Sequence, residues 1–510
     1  MQQRNVIAAN LANDPLERER WGHLRPGDWR NPRPAQRYDL VVVGAGTAGV
    51  TAAYTAAGLG AKVALVERHL IGGNCLNIGC VPSKAIIRTS RVYADMRNAA
   101  RYGACAPSDL RVDFAVAMER MRGVRARLSR GISVEVLTEM GVDVFFGMAS
   151  FTGNDALEVD GATLRFRKAI IASGARPDTP DIPGLAEAGY FTNENVFDLT
   201  EPPRSLLVIG GGPLGCEMAQ AFCRLGVKTT IVQHWPLFLP REERDAAQIL
   251  SDAFARDGIE IRLNTKPLNV RVEGGQKVVD LVSDDYRSTV SAEAVLTGTG
   301  RVPNVEGLNL VAAGVEGDDH HGVVVDDFLR TANPRIYAAG DVCLEDKFND
   351  AAGATARIAV RNALFRGRER LSALVVPWCT YTDPEVAHVG LYVRQANARG
   401  IPVKTFTIPM HEVPRAVADN EQIGFVKIVV AGGTDRILGA TIVARHAGEM
   451  ISEVTLAMTA GIGLRKLARV IHAYPTQAEG IKMAADAYDR THLGPRRRRL
   501  AAAWLRWMRR

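Results

Sequence analysis

Two cysteines separated by four residues stand in the run Gly72-Gly73-Asn74-Cys75-Leu76-Asn77-Ile78-Gly79-Cys80-Val81-Pro82-Ser83-Lys84. A Cys-x4-Cys pair by itself is compatible with a structural disulfide or with half of a metal site. Here it lies one loop beyond a glycine-rich turn. The flanking glycines and Lys84 point instead to a dithiol that exchanges electrons with a bound ring. A thiolate is the reactive form in such chemistry, and a helix N-terminus or nearby cations lower the thiol pKa.

The elements that must position these thiols are legible upstream. The apolar run 38–43 has the character of a buried parallel strand. It enters Gly44-Ala45-Gly46-Thr47-Ala48-Gly49 and then the alanine-rich helical stretch 50–60, followed by a second strand ending at Glu67. Gly44 permits the tight turn, Gly46 admits a pyrophosphate, and Gly49 permits close helix–strand packing. The helix N-terminus supplies oriented N–H groups for the anion, and Glu67 suits a ribose diol. The grammar repeats 166 residues later, with strand 205–209, then Gly210-Gly211-Gly212-Pro213-Leu214-Gly215. A helix to about residue 225 and a strand 229–232 complete it. Two such units imply two nucleotides, or a duplication with one retired copy. From about residue 377 the glycine motifs stop, and a mixed α+β module runs to residue 489.

A chain of 510 residues has room for about three domains. With 23% charged and 47% hydrophobic residues it reads as an ordinary globular protein. The N-terminus reads as no secretory signal, and no apolar run approaches the ~20 residues of a membrane span. Seven cysteines with one close pair suit a reducing, cytoplasmic compartment, where a disulfide is usually catalytic. Cys105, Cys216, Cys223, Cys343 and Cys379 read as core or surface residues, and no resident metal site is expected. The net charge of +7 matches the seven arginines of residues 496–510, so the body is near neutral.

The cysteine segment closely resembles the redox-active disulfide of the pyridine nucleotide-disulfide oxidoreductases, which include dihydrolipoyl dehydrogenase, glutathione reductase and mercuric reductase. The resemblance spans about residues 37–490. Ile170-Ile171-Ala172-Ser173-Gly174-Ala175-Arg176-Pro177 and Thr297-Gly298-Thr299-Gly300-Arg301-Val302-Pro303-Asn304 resemble the family's paired crossover motifs, and Ile336-Tyr337-Ala338-Ala339-Gly340-Asp341-Val342 its second flavin motif.

By that resemblance FAD belongs to Gly44, Gly46, Gly49, Glu67, Gly174, Gly300, Arg301 and Asp341. NAD(P) belongs to Gly210, Gly212, Gly215, Gln233 and His234. Cys80 is implied as the thiolate against the flavin, Cys75 as the outer interchange thiol, and Lys84 with Glu217 as an ion pair beside the ring. Gln233-His234 replaces the acid that favours a free 2′-OH, and Arg241 and Arg244 follow, which tilts the cofactor from NADH towards NADPH. Pro213 stands where glutathione reductase has a gating tyrosine.

The departure lies in Ile471-His472-Ala473-Tyr474-Pro475-Thr476-Gln477-Ala478-Glu479. Glu479 is kept, but Tyr474 replaces the family's acid/base histidine, and His472 is a candidate substitute. Tyrosine, with a reference pKa near ~10, is a poor base at neutral pH. A tyrosine here, Glu217-Met218-Ala219-Gln220-Ala221-Phe222 and Glu479-Gly480-Ile481-Lys482-Met483-Ala484-Ala485 resemble the mercuric reductase branch, whose soft-metal substrate needs thiolates more than a base. The sequence lacks that branch's C-terminal vicinal cysteines and its N-terminal Cys-x-x-Cys domain.

The expected architecture is therefore α/β, with two Rossmann-like dinucleotide-binding domains and a C-terminal α+β dimerisation domain. Residues 1–36 form an irregular leader; 37–190 and 297–370 bind FAD; 191–296 bind NAD(P). Residues 371–490 form the interface of a homodimer, and 491–510 a basic amphipathic tail. On a helix Leu500, Trp504, Trp507 and Met508 share one face flanked by arginines, suiting peripheral contact with the inner face of an anionic membrane more than nucleic acid, with a partly disordered solubilising tail as the alternative. The expected activity passes electrons from NAD(P)H by way of FAD and Cys75–Cys80 to a soft metal ion or small disulfide. Dihydrolipoyl dehydrogenase and a membrane-docked redox sensor with little turnover are the alternatives.

Overall fold

The computed structural model describes residues 13–107, 109–284, 286–491 and 494–509. Residues 1–12 of the leader and Arg510 of the tail lie outside the described residues. Contacts divide the chain into two compact units: residues through Pro236 with Gly258–Leu374, and Leu237–Asp257 with Val375–Arg510.

The first unit is built on two sheets, the larger a parallel set of strands extended at one edge by the antiparallel pair Ala149–Gly153 and Ala156–Val159. In one, Val142–Phe146, Val63–Glu67, Tyr38–Val43 and Ala162–Ile171 lie side by side in that order, with Ile336–Ala338 parallel to Ala162–Ile171. The register is direct, Val41 standing between Ala64 and Ala169. Both faces are covered, so the strand Tyr38–Val43 is apolar nearly throughout instead of alternating. The helix Thr47–Gly58 packs its alanines on this sheet beside the helix Asn349–Phe365, in one continuous core. In the second sheet Glu260–Arg262, Lys228–Val232, Ser205–Ile209 and Ala294–Thr297 are all parallel. The helix Pro213–Arg224 follows its first strand. The two crossover motifs pair with one another as an antiparallel ribbon, Val302 opposite Arg176.

The second unit is the expected α+β module. Pro377–Thr380, Glu385–Gly390, Ile437–Ala444, Phe425–Ala431 and Val403–Pro409 form an antiparallel sheet in that order. The helices Ala447–Thr459 and Glu479–Thr491 share its core. The tail carries a helix, Pro495–Met508, on which Leu500, Trp504, Trp507 and Met508 are exposed; the two indole rings lie 5.0 Å apart. Among the described residues no helix is long and apolar enough to cross a membrane.

Two expectations are corrected. The leader is not irregular between residues 15 and 24: Pro15–Leu24 is a helix capped by the Asp14 carboxylate, and it buries Glu17, Arg20 and Leu24. Its buried face is charged, so no apolar stripe announced it. The segment Leu237–Asp257, expected within the NAD(P) domain, clusters with the C-terminal unit instead. Polar contacts tie it there: Tyr392 Oη donates to Glu242 Oε2 at 2.6 Å and Trp378 Nε1 to Glu242 Oε1 at 3.2 Å.

Candidate redox and dinucleotide sites

Cys75 lies on the short helix Gly73–Ile78, and Cys80 opens the long helix Cys80–Arg97. Gly73 seats the loop: its φ is +53°, and a Cβ there would stand 2.6 Å from the Cα of Gly46 in the first glycine turn. The redox loop and the nucleotide turn thus touch backbone to backbone, reinforced by Gly72 N donating to Ala45 O at 2.8 Å. Asn74 Nδ2 donates to Ala175 O at 2.6 Å and Asn193 Nδ2 to Ile78 O at 3.1 Å, so the loop is anchored at both ends.

The two thiols are unequal. A hydrogen bond from the Cys75 thiol, with the charges of Lys84 and Arg301, draws the Cys80 pKa down to about 7 against the opposing effect of burial. The same hydrogen bond, together with burial, pushes Cys75 well up. The N-terminus of the helix Cys80–Arg97 also favours an anion at Cys80. Lys84, one turn into this helix, holds Glu217 Oε2 at 2.8 Å. Glu217 is buried on the helix Pro213–Arg224. Thr47, at the start of the helix after the first glycine turn, is a residue that sequence reasoning missed; its hydroxyl donates to Asn349 Oδ1 at 2.5 Å, and it favours the Cys75 anion against the larger effects that raise that thiol.

The first glycine turn fits a dinucleotide. At Gly44 (φ +100°) a Cβ would meet Ala172 O at 2.4 Å, and at Gly49 it would meet Gly44 O at 1.7 Å. Gly46 caps the helix Thr47–Gly58 with no side chain in the way. Glu67, buried at the strand end, accepts from Ala45 N at 2.7 Å and His69 N at 2.8 Å, and burial raises its pKa. Asp341 and Arg301 form an ion pair at 2.9 Å, bringing the second flavin motif to the second crossover motif. Burial raises the Asp341 pKa, and Arg301 opposes the rise. Gly174 faces open space, and a Cβ on Gly300 would meet only the Asp178 side chain.

The second turn repeats the geometry. A Cβ on Gly210 would stand 2.4 Å from Gly298 O and one on Gly215 2.0 Å from Gly210 O, while Gly212 faces open space at the start of the helix Pro213–Arg224. Gln233 is buried with its Oε1 over Gly211, 2.1 Å from where a Cβ would be. His234 lies against the Trp235 ring. Arg244 donates to the carbonyls of Phe238, Leu239 and Glu242, so its guanidinium closes its own loop.

In the second unit His472 Nε2 lies 2.9 Å from Glu453 Oε1, its side chain mostly buried. Tyr474 is 73% exposed. One buried oxygen of Glu479 has no hydrogen-bond partner among the described residues. The structure thus gathers Cys75, Cys80, Lys84 and Glu217 in the first unit and places His472, Tyr474 and Glu479 in the second.

Residues 38–363 match the family described as pyridine nucleotide-disulphide oxidoreductase, and residues 376–485 match that family's dimerisation domain. A mercuric reductase of Staphylococcus aureus is 34% identical over 453 residues, which cover 89% of this chain and 83% of that protein. A dihydrolipoyl dehydrogenase of Thermus scotoductus is 33% identical, with 88% and 97% covered. Among solved structures, the HOCl-induced flavoprotein disulfide reductase RclA of Escherichia coli superposes with a TM-score of 0.79 at 30% identity, covering 88% of this chain and 99% of that one. RclA has also been solved as a Cu(II) complex. With both of its units matched, this chain belongs to the class I pyridine nucleotide-disulphide oxidoreductases, flavoproteins that work with FAD and NAD(P)H.

Proposed function

We propose that the chain reduces a soft metal ion, with Cys75 and Cys80 as the exit for electrons taken from NAD(P)H. FAD, when bound, supplies the two-electron relay between the nicotinamide and the disulfide. Gly44, Gly46, Gly49, Glu67, Gly174, Gly300, Arg301 and Asp341 would hold FAD. Gly210, Gly212, Gly215, Gln233 and His234 would hold the nicotinamide cofactor, with NADPH preferred because Gln233 brings no charge against a 2′-phosphate. Cys80 ionises through neutral pH while Cys75 keeps its proton, and Glu217 fixes the Lys84 ammonium beside the dithiol. Two neighbouring sulfurs, one of them partly thiolate at neutral pH, are soft ligands.

The observation that carries the metal reading over a disulfide substrate is the state of the C-terminal segment. Tyr474 stands where the acid/base histidine belongs, and His472 is engaged by Glu453. A thiol–disulfide substrate needs a proton shuttle; a metal captured by thiolates does not. The mercuric reductase relative and the Cu(II) complex of RclA lean the same way, while the dihydrolipoyl dehydrogenase relative leans the other. The test is NADPH oxidation with thiol-buffered Hg(II) set against oxidised lipoamide. Fast turnover with Hg(II) that is lost in Cys80→Ser supports the reading; turnover with lipoamide alone refutes it and supports dihydrolipoyl dehydrogenase.

The match to a dimerisation domain supports a homodimer, checked by light scattering on the eluting protein. We place the enzyme in the cytoplasm, on its cysteine usage. The exposed Trp504, Trp507 and Leu500 with Arg498 and Arg499 on one helix support peripheral contact with an anionic bilayer. Sedimentation with phosphatidylglycerol vesicles, lost on deleting residues 491–510, is the expected result.

A further inference from the structure

The helix Pro15–Leu24 lies upstream of the family match, which begins at residue 38, yet it reaches the redox loop. Glu17 and Arg20 are 5% and 6% exposed, and Arg125 is 1% exposed. Glu17 is gripped by both arginines. Arg20 donates to Oε2 through Nε at 3.1 Å and Nη2 at 2.5 Å, and Arg125 Nη2 donates to Oε1 at 2.6 Å. Each arginine then turns its other amino group on Asn77. Arg20 Nη1 donates to Oδ1 at 2.5 Å and Arg125 Nη1 to the backbone oxygen at 2.9 Å. Asn77 in turn donates to Ile71 O and Gly73 O, both at 3.0 Å. Asn77 stands between Cys75 and Cys80, so every grip on it is a grip on the loop that carries both sulfurs. Arg122 fixes the start of the helix through Asp14 at 2.6 Å.

A buried cluster of this kind carries a desolvation cost that an apolar contact would avoid. What it adds is directed geometry, since planar guanidinium groups fix the positions of their acceptors. We propose that the helix Pro15–Leu24 is a positioning strut for the redox pair. Arg20, acting with Arg125 on Asn77, holds in place the loop that carries Cys75 and Cys80. Arg20 is a positioning residue; it touches neither sulfur.

The proposal rests on the reading of Cys75–Cys80 as the redox pair, and it makes a prediction about that pair alone. Held sulfurs close to a disulfide more readily. When the two thiols exchange with oxidised dithiothreitol, one S–S bond forms in the protein, one breaks in the reagent, and two electrons and two protons pass to it. Loosening the strut lowers that equilibrium constant about three- to tenfold, a positive shift of about 15–30 mV.

The experiment equilibrates the full-length holoprotein with dithiothreitol redox buffers and counts free thiols by alkylation and mass. Arg20→Met is expected to shift the midpoint by that amount. In an Asn77→Ala background the same substitution is expected to add nothing, because the shared contact is already gone. If Arg20→Met does not fold, Arg20→Lys, which keeps a cation beside Glu17 but lacks the fork that also reaches Asn77, carries the same expectation. An unmoved midpoint, or an equal shift in both backgrounds, overturns the strut. A wild-type protein with no titrating pair overturns the strut and the redox reading beneath it, whereas a titrating wild type with unmoved variants overturns the strut alone.

Discussion

Lys84 Nζ lies 2.8 Å from Glu217 Oε2, so the helix that begins at Cys80 is tied to the helix that follows the second glycine turn. Glu217 is buried and Lys84 is partly open to solvent. One ion pair therefore links the helix that begins at Cys80 to the helix that follows the second glycine turn. Its charge also bears on the sulfur, since Lys84 favours the Cys80 thiolate.

The pH dependence of thiol reactivity follows from that charge. With the Cys80 pKa drawn down to about 7, its thiolate fraction rises through neutrality. Alkylation of the reduced protein by iodoacetamide is expected to climb between about pH 6 and pH 8. Lys84→Met removes a cation that favours the anion, so the profile moves to higher pH and the rate at pH 7 falls about three- to tenfold. An unchanged profile would show that Lys84 does not act on Cys80.

FAD retention reports on Glu67. Its carboxylate sits at the strand end among backbone donors, and hydrogen bonds to a charged group contribute roughly 1.5–3 kcal/mol. Glu67→Gln is expected to weaken FAD binding about ten- to a hundredfold, measured by flavin fluorescence on dilution. Full retention would remove Glu67 from the ribose.

The strand–turn–helix units, the crossover motifs and the cysteine run were legible because each depends on local chemistry: apolar runs, glycine at tight turns, and paired thiols. The helix Pro15–Leu24 was not, since two of its three buried residues are Glu17 and Arg20 and leave no apolar periodicity. The available signal was Asp14 before Pro15, a capping residue ahead of proline at the first helical position. The partners of Glu242 were hidden for a different reason: Tyr392 stands 150 residues away. Tyr474 was visible as a departure in sequence, but the engagement of His472 by Glu453 required the fold.

Cofactor preference tests Gln233. Gln233→Glu places a carboxylate at the end of the second strand, where it suits a free 2′-OH and repels a 2′-phosphate. The ratio of kcat/KM for NADPH over NADH is expected to fall at least about tenfold. A rise or no change would move the selectivity elsewhere.

The C-terminal segment can be interrogated by restoring the missing base. A positioned acid/base group contributes about 10²–10⁴-fold, so Tyr474→His is expected to raise lipoamide reduction at least about tenfold. His472→Asn is expected to leave it within about twofold. The opposite pattern would make His472 the working base.

The most direct test of the account is an anaerobic reductive titration of the purified flavoprotein followed by its visible spectrum. If electrons leave through Cys75 and Cys80, the wild type takes up two electrons for FAD and two more for the disulfide. A long-wavelength band from the Cys80 thiolate against the ring appears between the two steps, and Cys80→Ser loses the band and the second pair of electrons. Uptake of a single pair by the wild type, with no band and no difference in Cys80→Ser, would contradict it.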